Sequence, residues 1–290
     1  MTSAHRTHDR AASRARLASR YLIVAGFVVL SLFPLYWIFT SSIMPTADVF
    51  RRPPAWTFPP NLVSYRTILG MTNTTSGGTD FVRYAVNSTV IAVGTAIPSL
   101  VLGTMAAYGI TRCKVRWGRR YLMGVLIGRL VPPVVLLVPL FSIWTAFHLL
   151  DTQAAVIVTL LSFGLPFVIW MMSGFFQQLP RELDEAAMVD GASRLTCLWR
   201  VVVPSSIAGL SVTAFFVLLG AWNEYLIPFI LTENRAEPIA VAIQSYVSGF
   251  NTQWGELFAA STLAFVPVVL AGAFVQRYLV QGFTSGIVRG

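Results

Sequence analysis

Charge is what this chain has least of. Only 11% of its 290 residues are Asp, Glu, Lys or Arg, against about 25% in an ordinary soluble domain. Lysine is reduced to Lys114, histidine to His5, His8 and His148, and cysteine to Cys113 and Cys197. Each scarcity excludes a chemistry. A phosphate-cradling loop needs Gly-Lys followed by Ser or Thr, and Lys114 follows Cys113, so no ATP site is expected. The cysteines fall in segments assigned below to the cytoplasmic side, where a structural disulfide is not expected to persist. Neither cysteine has a metal-ligand spacing and no nucleophile and base stand in a recognisable pattern. The chain is therefore not read as an enzyme, and neither metal nor cofactor is expected.

The bulk of the sequence is apolar instead: 55% of residues are hydrophobic and the mean hydropathy is +0.67. An α-helix rises 1.5 Å per residue, so about twenty apolar residues cross a hydrocarbon core. Six runs qualify: residues 21–40, 87–110, 121–147, 153–176, 205–231 and 257–280. The fold class expected is an all-α integral membrane protein with six transmembrane helices forming one domain over residues 21–280. A basic tail, 1–20, would precede it and a short tail, 281–290, would follow. Prolines inside several runs (Pro34, Pro98, Pro132, Pro133, Pro166, Pro228, Pro267) are tolerated in membranes where neighbours satisfy the freed backbone groups.

The net charge of +9 does not point to nucleic acid, because the cations bracket apolar runs instead of lining one face. With six spans, fifteen Lys and Arg fall on the side that carries both termini and five on the other, with Arg129 inside a span. By the positive-inside rule both termini face the cytoplasm. The first run is too long for a signal peptide and lacks a small-residue cleavage site, so it reads as a retained anchor.

This topology puts the one acidic, helix-compatible segment of the chain, residues 180–204, in the cytoplasmic loop between the fourth and fifth spans. Pro180 or Arg181 suits a first turn, and Glu182, Asp184 and Glu185 place negative charge where the helix dipole favours it. Leu183, Ala186 and Ala187 share a face, Gly191 offers a stop, and Ser193 is an N-cap for a second short helix to Val203, after which Pro204 opens the fifth span.

Glu185-Ala186-Ala187, followed by Asp190-Gly191 and by Val201-x-Val203-Pro204, resembles the EAA loop of inner-membrane permease subunits of binding-protein-dependent ABC importers. The resemblance extends to Pro34–Ser42, Asn61 with Tyr65, Asn87-Ser88, Ala106-Ala107-Tyr108 with the basic run after it, Trp222-Asn223-Glu224, and Gln276-Arg277 with Gly282 and Ser285-Gly286. It is most similar to the carbohydrate-importer branch of maltose-permease type. The resemblance implies a type I importer fold and a coupling role for Glu185, Ala186, Ala187, Asp190, Gly191 and Pro204. The partners it implies are two ATPase subunits, a second homologous permease and an external solute-binding protein, in a bacterial inner membrane. The alternatives are a permease of the same machinery for a glycerophosphodiester, polyamine or amino acid, and a self-contained secondary transporter. The last would need intramembrane carboxylates, and only Glu224 lies firmly inside a span.

Polar groups at membrane depth tend to face a bundle interior or water. Asn223, Glu224 and Tyr225 are candidate pathway residues for a sugar, and the competing reading is an interfacial aromatic belt with Glu224 reaching external water. Arg129 is a further candidate, or else snorkels to the cytoplasmic headgroups. On the outer side, Ile239, Ala242, Ile243, Tyr246, Val247 and Phe250 recur with helical spacing, and Tyr246, Phe250 and Trp254 are candidate contacts for the binding protein, or part of a helix that lies on the membrane.

Overall fold

A computed structural model describes residues 3–71, 80–113, 115–128, 130–247 and 252–287. Among them the secondary structure is helical, and the chain divides into two compact units, residues 1–78 with 249–262 and residues 79–248 with 263–290.

In the first unit, α1 (Ser3–Ser42) is a single helix whose segment Leu17–Ser42 is long and apolar enough to cross a membrane, with its side chains almost wholly exposed within the chain. A helix apolar all round and uncovered by its own chain needs lipid or another subunit around it. The basic residues read as a tail from sequence are part of this helix from Ser3 onward. Its end is tied down: Ser42 Oγ and Tyr65 OH are 2.6 Å apart and Asn61 N–H donates to Ile43 O at 2.7 Å. Two short helices follow, α2 (Thr46–Val49) and α3 (Val63–Ile68).

The second unit holds the packed bundle. α4 (Phe81–Arg112) begins where Asp80 accepts Arg83 N–H. The 121–147 run is divided into α5 (Gly118–Gly128) and α6 (Pro133–Ala146). The Pro132-Pro133 pair explains the division: each proline biases its predecessor away from helical geometry, and Pro133 then suits a helix start. α7 (Gln153–Gln178) starts at an N-cap in which Thr152 accepts Ala155 N–H, and stops before Leu179-Pro180. Then come α8 (Glu182–Val189), α9 (Arg194–Cys197), a π-helical turn at Leu198–Val202, and α10 (Val203–Ser205).

The axis turns by 86° between Arg194–Ser205 and α11 (Ile207–Trp222). Pro204 contributes no N–H to the ladder, the π-turn widens the preceding coil, and Ser205 Oγ bonds back to Val201 O at 2.7 Å; all three are established causes of kinks. The bend therefore falls at the start of the fifth run, 205–231, between the loop and the span, and the run is interrupted again before α12 (Leu226–Leu231). After it, α13 (Ile239–Ala242) and a 3-10 turn, Ile243–Tyr246, are the regular structure among the described residues of the stretch expected to be a longer amphipathic helix. The last helix, α14, runs Trp254–Ile287.

Among the described residues four helices are long and apolar enough to span, five counting the bent pair, and α6 is a shorter apolar helix. The core lies where α4, α7 and α11 meet. Ala107, Tyr108, Val168, Met172, Phe176 and Val217 pack toward one end, with Cys197, Leu198 and Val202 beneath, and Ile91, Val156, Leu160, Ile227 and Leu231 toward the other. Close approach depends on Gly103, where a Cβ would stand 2.5 Å from Val168 Cγ1. Such small-residue contacts replace the hydrophobic driving force that lipid removes.

Candidate functional site

The loop between α7 and α11 folds as a helix, a tight turn and a second helix. α8 carries Glu182, Asp184 and Glu185 in its first turn. It ends with Gly191 at φ +84°, with Gly191 N–H donating to Met188 O (3.1 Å) and Ala192 N–H to Ala187 O (3.0 Å). These two bonds with a left-handed glycine make a Schellman stop, which explains the need for glycine here. Ser193 Oγ then accepts Thr196 N–H at 3.2 Å and opens α9. Glu185 and Ala186 face outward, Ala187 is half-buried, Asp190 and Gly191 are exposed, and Pro204 stands two residues before the bend. Val189 is 87% exposed, with Leu195 and Trp199 also uncovered nearby in sequence.

The inward side of α8 holds a residue that sequence alone marks only as a dipole charge. Asp184 is buried, and its Oδ2 accepts Arg112 Nη1 at 3.0 Å while its Oδ1 accepts Tyr108 OH at 3.1 Å and lies 3.5 Å from Cys197 Sγ. Arg112, one cation of a topology signal by sequence, is equally enclosed. Its Nη2 donates to Leu179 O at 2.8 Å and to Phe176 O, and its Nη1 also reaches Pro180 O at 3.4 Å. One guanidinium thus joins the end of α4, the last carbonyls of α7 and the carboxylate of α8. Only arginine has a planar fork that serves all three. The spacing of Asp184 from the EAA residues is visible in the sequence, but nothing local marks it as the inward-facing acid.

A cavity of about 260 Å³ lies between α4, α7 and α11, lined by Thr95, Phe163, Gly164, Phe167, Phe216, Gly220 and Glu224. Thr95 Oγ1, on its wall, and Ser99 Oγ, one turn along α4, are buried without a hydrogen-bond partner among the described residues. Of the predicted pathway residues, Glu224 reaches this cavity. Its Oε1 also accepts Leu226 and Ile227 N–H (3.1 and 3.3 Å), so it caps α12. Asn223 is exposed and bonds back to Leu219 O at 2.9 Å, and Tyr225 stacks on Phe229 at 5.1 Å. Trp222 is buried, its Nε1–H donating to Ala264 O at 3.2 Å. Arg129 lies outside the described residues.

A second polar cluster pins the loop after α12. The Asp151 carboxylate, in a turn at φ +56°, accepts the N–H groups of Glu233, Asn234, Arg235 and Ala236 at 2.9–3.2 Å. Burial alone pushes this carboxyl up; the four N–H donors outweigh it and hold it below the usual carboxylate range. Asn87 Nδ2 donates to Arg235 O and Glu237 O at 2.9 Å each, its Oδ1 accepts Gln153 Nε2 at 2.7 Å, and Ser88 Oγ accepts Ile239 N–H at 2.8 Å. Of the candidate binding-protein contacts, Tyr246 is buried in the second unit; Trp254, in the first, stands edge-on to Phe50 at 4.9 Å and stacks with Phe258; Phe250 lies outside the described residues.

Residues 99–285 match the family described as binding-protein-dependent transport system inner membrane component. The trehalose transport system permease protein SugB of Mycobacterium tuberculosis is 33% identical over 95% of this chain and 99% of its own length. The trehalose/maltose transport system permease protein MalG of Thermococcus litoralis is 30% identical over 96% and 99%. Among solved structures, a bacterial ABC transporter involved in the import of the acidic polysaccharide alginate has a chain of the same fold, with a TM-score of 0.74 at 19% identity over 92% of this chain and 97% of that one. With the EAA segment folded as a helix and Schellman stop below a bundle of apolar helices, and with relatives matched over nearly their whole length, this chain belongs to the family of inner-membrane components of binding-protein-dependent transport systems.

Proposed function

We propose that the chain carries a carbohydrate through the membrane as the permease of an ABC importer, with α8 as the element that receives the stroke of a separate ATPase. The observation that carries this reading is the division of α8 into two faces. Its acid Asp184 is locked inward, while Glu185, Ala186 and the 87%-exposed Val189 are left facing out, with no side-chain partner among the described residues. A face of small and apolar side chains with two acids, Glu185 and, one turn earlier, Glu182, matches a groove on a soluble partner that supplies a cation. Both termini and α8 share the cytoplasmic side in this reading. Two ATPase subunits, a second permease and an external binding protein complete the machine, and hydrolysis of ATP belongs to the ATPase.

Carbohydrate as the solute is supported by the named cargo of relatives, trehalose and maltose, and by a cavity whose wall combines Phe163, Phe167 and Phe216 with the carboxylate-bearing Glu224. Aromatic faces stack on sugar rings while side-chain oxygens meet sugar hydroxyls. The decisive experiment is a tagged pull-down from native membranes in mild detergent, comparing wild type with a Glu185→Lys, Gly191→Pro double variant. Recovery of an ATPase and a second permease with the wild type, with the ATPase lost from the variant, is the expected result. A chain that comes down alone overturns the reading.

A further inference from the structure

Given the coupling role proposed for α8, on which the inference rests, the buried Arg112–Asp184 pair has a task beyond holding the loop in place. We infer that Arg112 is the positioning residue that welds the coupling helix to two of the three helices of the cavity wall, α4 and α7, so that displacement of α8 moves the cavity.

The geometry is specific. α4 contributes Thr95 to the cavity and ends at Arg112, seventeen residues later, which is roughly 25 Å along a helix. α7 contributes Phe163, Gly164 and Phe167, and its last carbonyls, Phe176 O and Leu179 O, are the ones Arg112 Nη2 holds. These two wall helices therefore finish on one guanidinium, whose other partners are the inward acid of α8 at 3.0 Å and, at 3.4 Å, Pro180 O in the link between α7 and α8. Among the described residues, the hydrogen bonds and ion pairs that leave α8 toward α4 and α9 all end on Asp184. The covalent link from α7 to α8 is short and non-helical at Leu179, which is extended at ψ 142° and followed by Pro180. Such a link is a swivel by itself. With the side chains of Arg112 and Asp184 only 4% and 9% exposed, the pair cannot exchange its partners for water without opening the core, so α8 and the ends of α4 and α7 move together. Replacing the swivel by a strut is what lets a push reach a cavity many residues away.

The test uses the assembled complex with its ATPase. A cysteine is introduced by Gly220→Cys, where a side chain meets no atom within 4 Å, and is labelled with a water-soluble maleimide before and after trapping with Mg-ATP and vanadate. Background from Cys113 and Cys197 is subtracted with the parent lacking the substitution. With Arg112 and Asp184 in place, trapping is expected to change the labelling rate by about tenfold, and in an Arg112→Met, Asp184→Met variant by less than about twofold, with nucleotide still trapped. A full response in that variant overturns the strut. If the double variant does not assemble, Arg112→Lys decides, since it keeps a charge opposite Asp184 but lacks the fork that holds the α7 carbonyls: a reduced response supports the strut and an undiminished one overturns it. A parent complex that retains no ATPase, or whose cavity ignores nucleotide, sinks the importer reading itself and this inference with it.

Discussion

Arg112 and Asp184 illustrate how much a single buried contact can decide. Truncating one partner strands the other charge in the core. Asp184→Ala is expected to destabilise the detergent-solubilised protein by about 3–5 kcal/mol, more than the Arg112→Met, Asp184→Met double variant, and thermal unfolding of the two checks the order. Gly191 acts at the same scale by another route. At φ +84° a side chain is strained even though open space surrounds it, so Gly191→Ala should cost about 1–2 kcal/mol and fray the end of α8. Asp151 carries the pH dependence. Its carboxyl binds a proton less readily in the folded chain than in the unfolded one, so its contribution is complete above the ordinary value of 3.8 and is lost as the pH falls through the lower folded value. At neutral pH the 233–236 amides should be protected from hydrogen exchange in the wild type. They should exchange faster in Asp151→Asn, and in the wild type only in acid below about pH 4, after correction for intrinsic rates.

At the scale of elements, packing and capping decide what runs of apolar residues become. α4 and α7 approach closely because Gly103 leaves room for Val168; Gly103→Leu forces them apart, with an expected loss of about 1–3 kcal/mol and a lower melting temperature. Glu224 starts α12 by accepting two backbone N–H groups, so Glu224→Ala should lose about 0.5–2 kcal/mol of stability, while Glu224→Gln keeps an acceptor and should preserve the fold. Much at this scale was legible in the sequence: the stop at Gly191, the cap at Ser193 and the long helix from Gln153 all follow from local rules about positive φ, side-chain acceptors and hydropathy. Other features were not. The third apolar run reads as continuous by hydropathy, yet Pro132-Pro133 divides it. The fifth is entered through an 86° turn where proline, a π-turn and a serine back-bond coincide, and hydropathy registers none of them. The helix expected from Ile239 onward is shorter than its apolar periodicity suggests, since Val247 is already extended.

For the molecule as a whole, the apolar helices left uncovered by their own chain, above all Leu17–Ser42, and the outward face of α8 both call for surroundings that this polypeptide does not supply. Lipid and a second permease suit the first, and an ATPase the second. Glu185→Ala is accordingly expected to weaken ATPase docking by about 2–5 kcal/mol, read as a lower affinity and reduced binding-protein-stimulated hydrolysis in liposomes; undiminished transport would remove Glu185 from the coupling role. Sequence alone determined that this is a multi-span membrane protein with its acidic loop between two spans, because composition, hydropathy and the EAA spacing are properties of contiguous residues. Only the tertiary structure decided that Arg112 meets Asp184 across 72 residues, that Asp151 gathers amides more than 80 residues away, and that Thr95, Phe163 and Glu224 share a cavity. Those meetings depend on which faces of three apolar helices turn toward one another. In lipid, where every face is greasy, the hydrophobic pattern that would reveal the inward side of a soluble helix is largely missing.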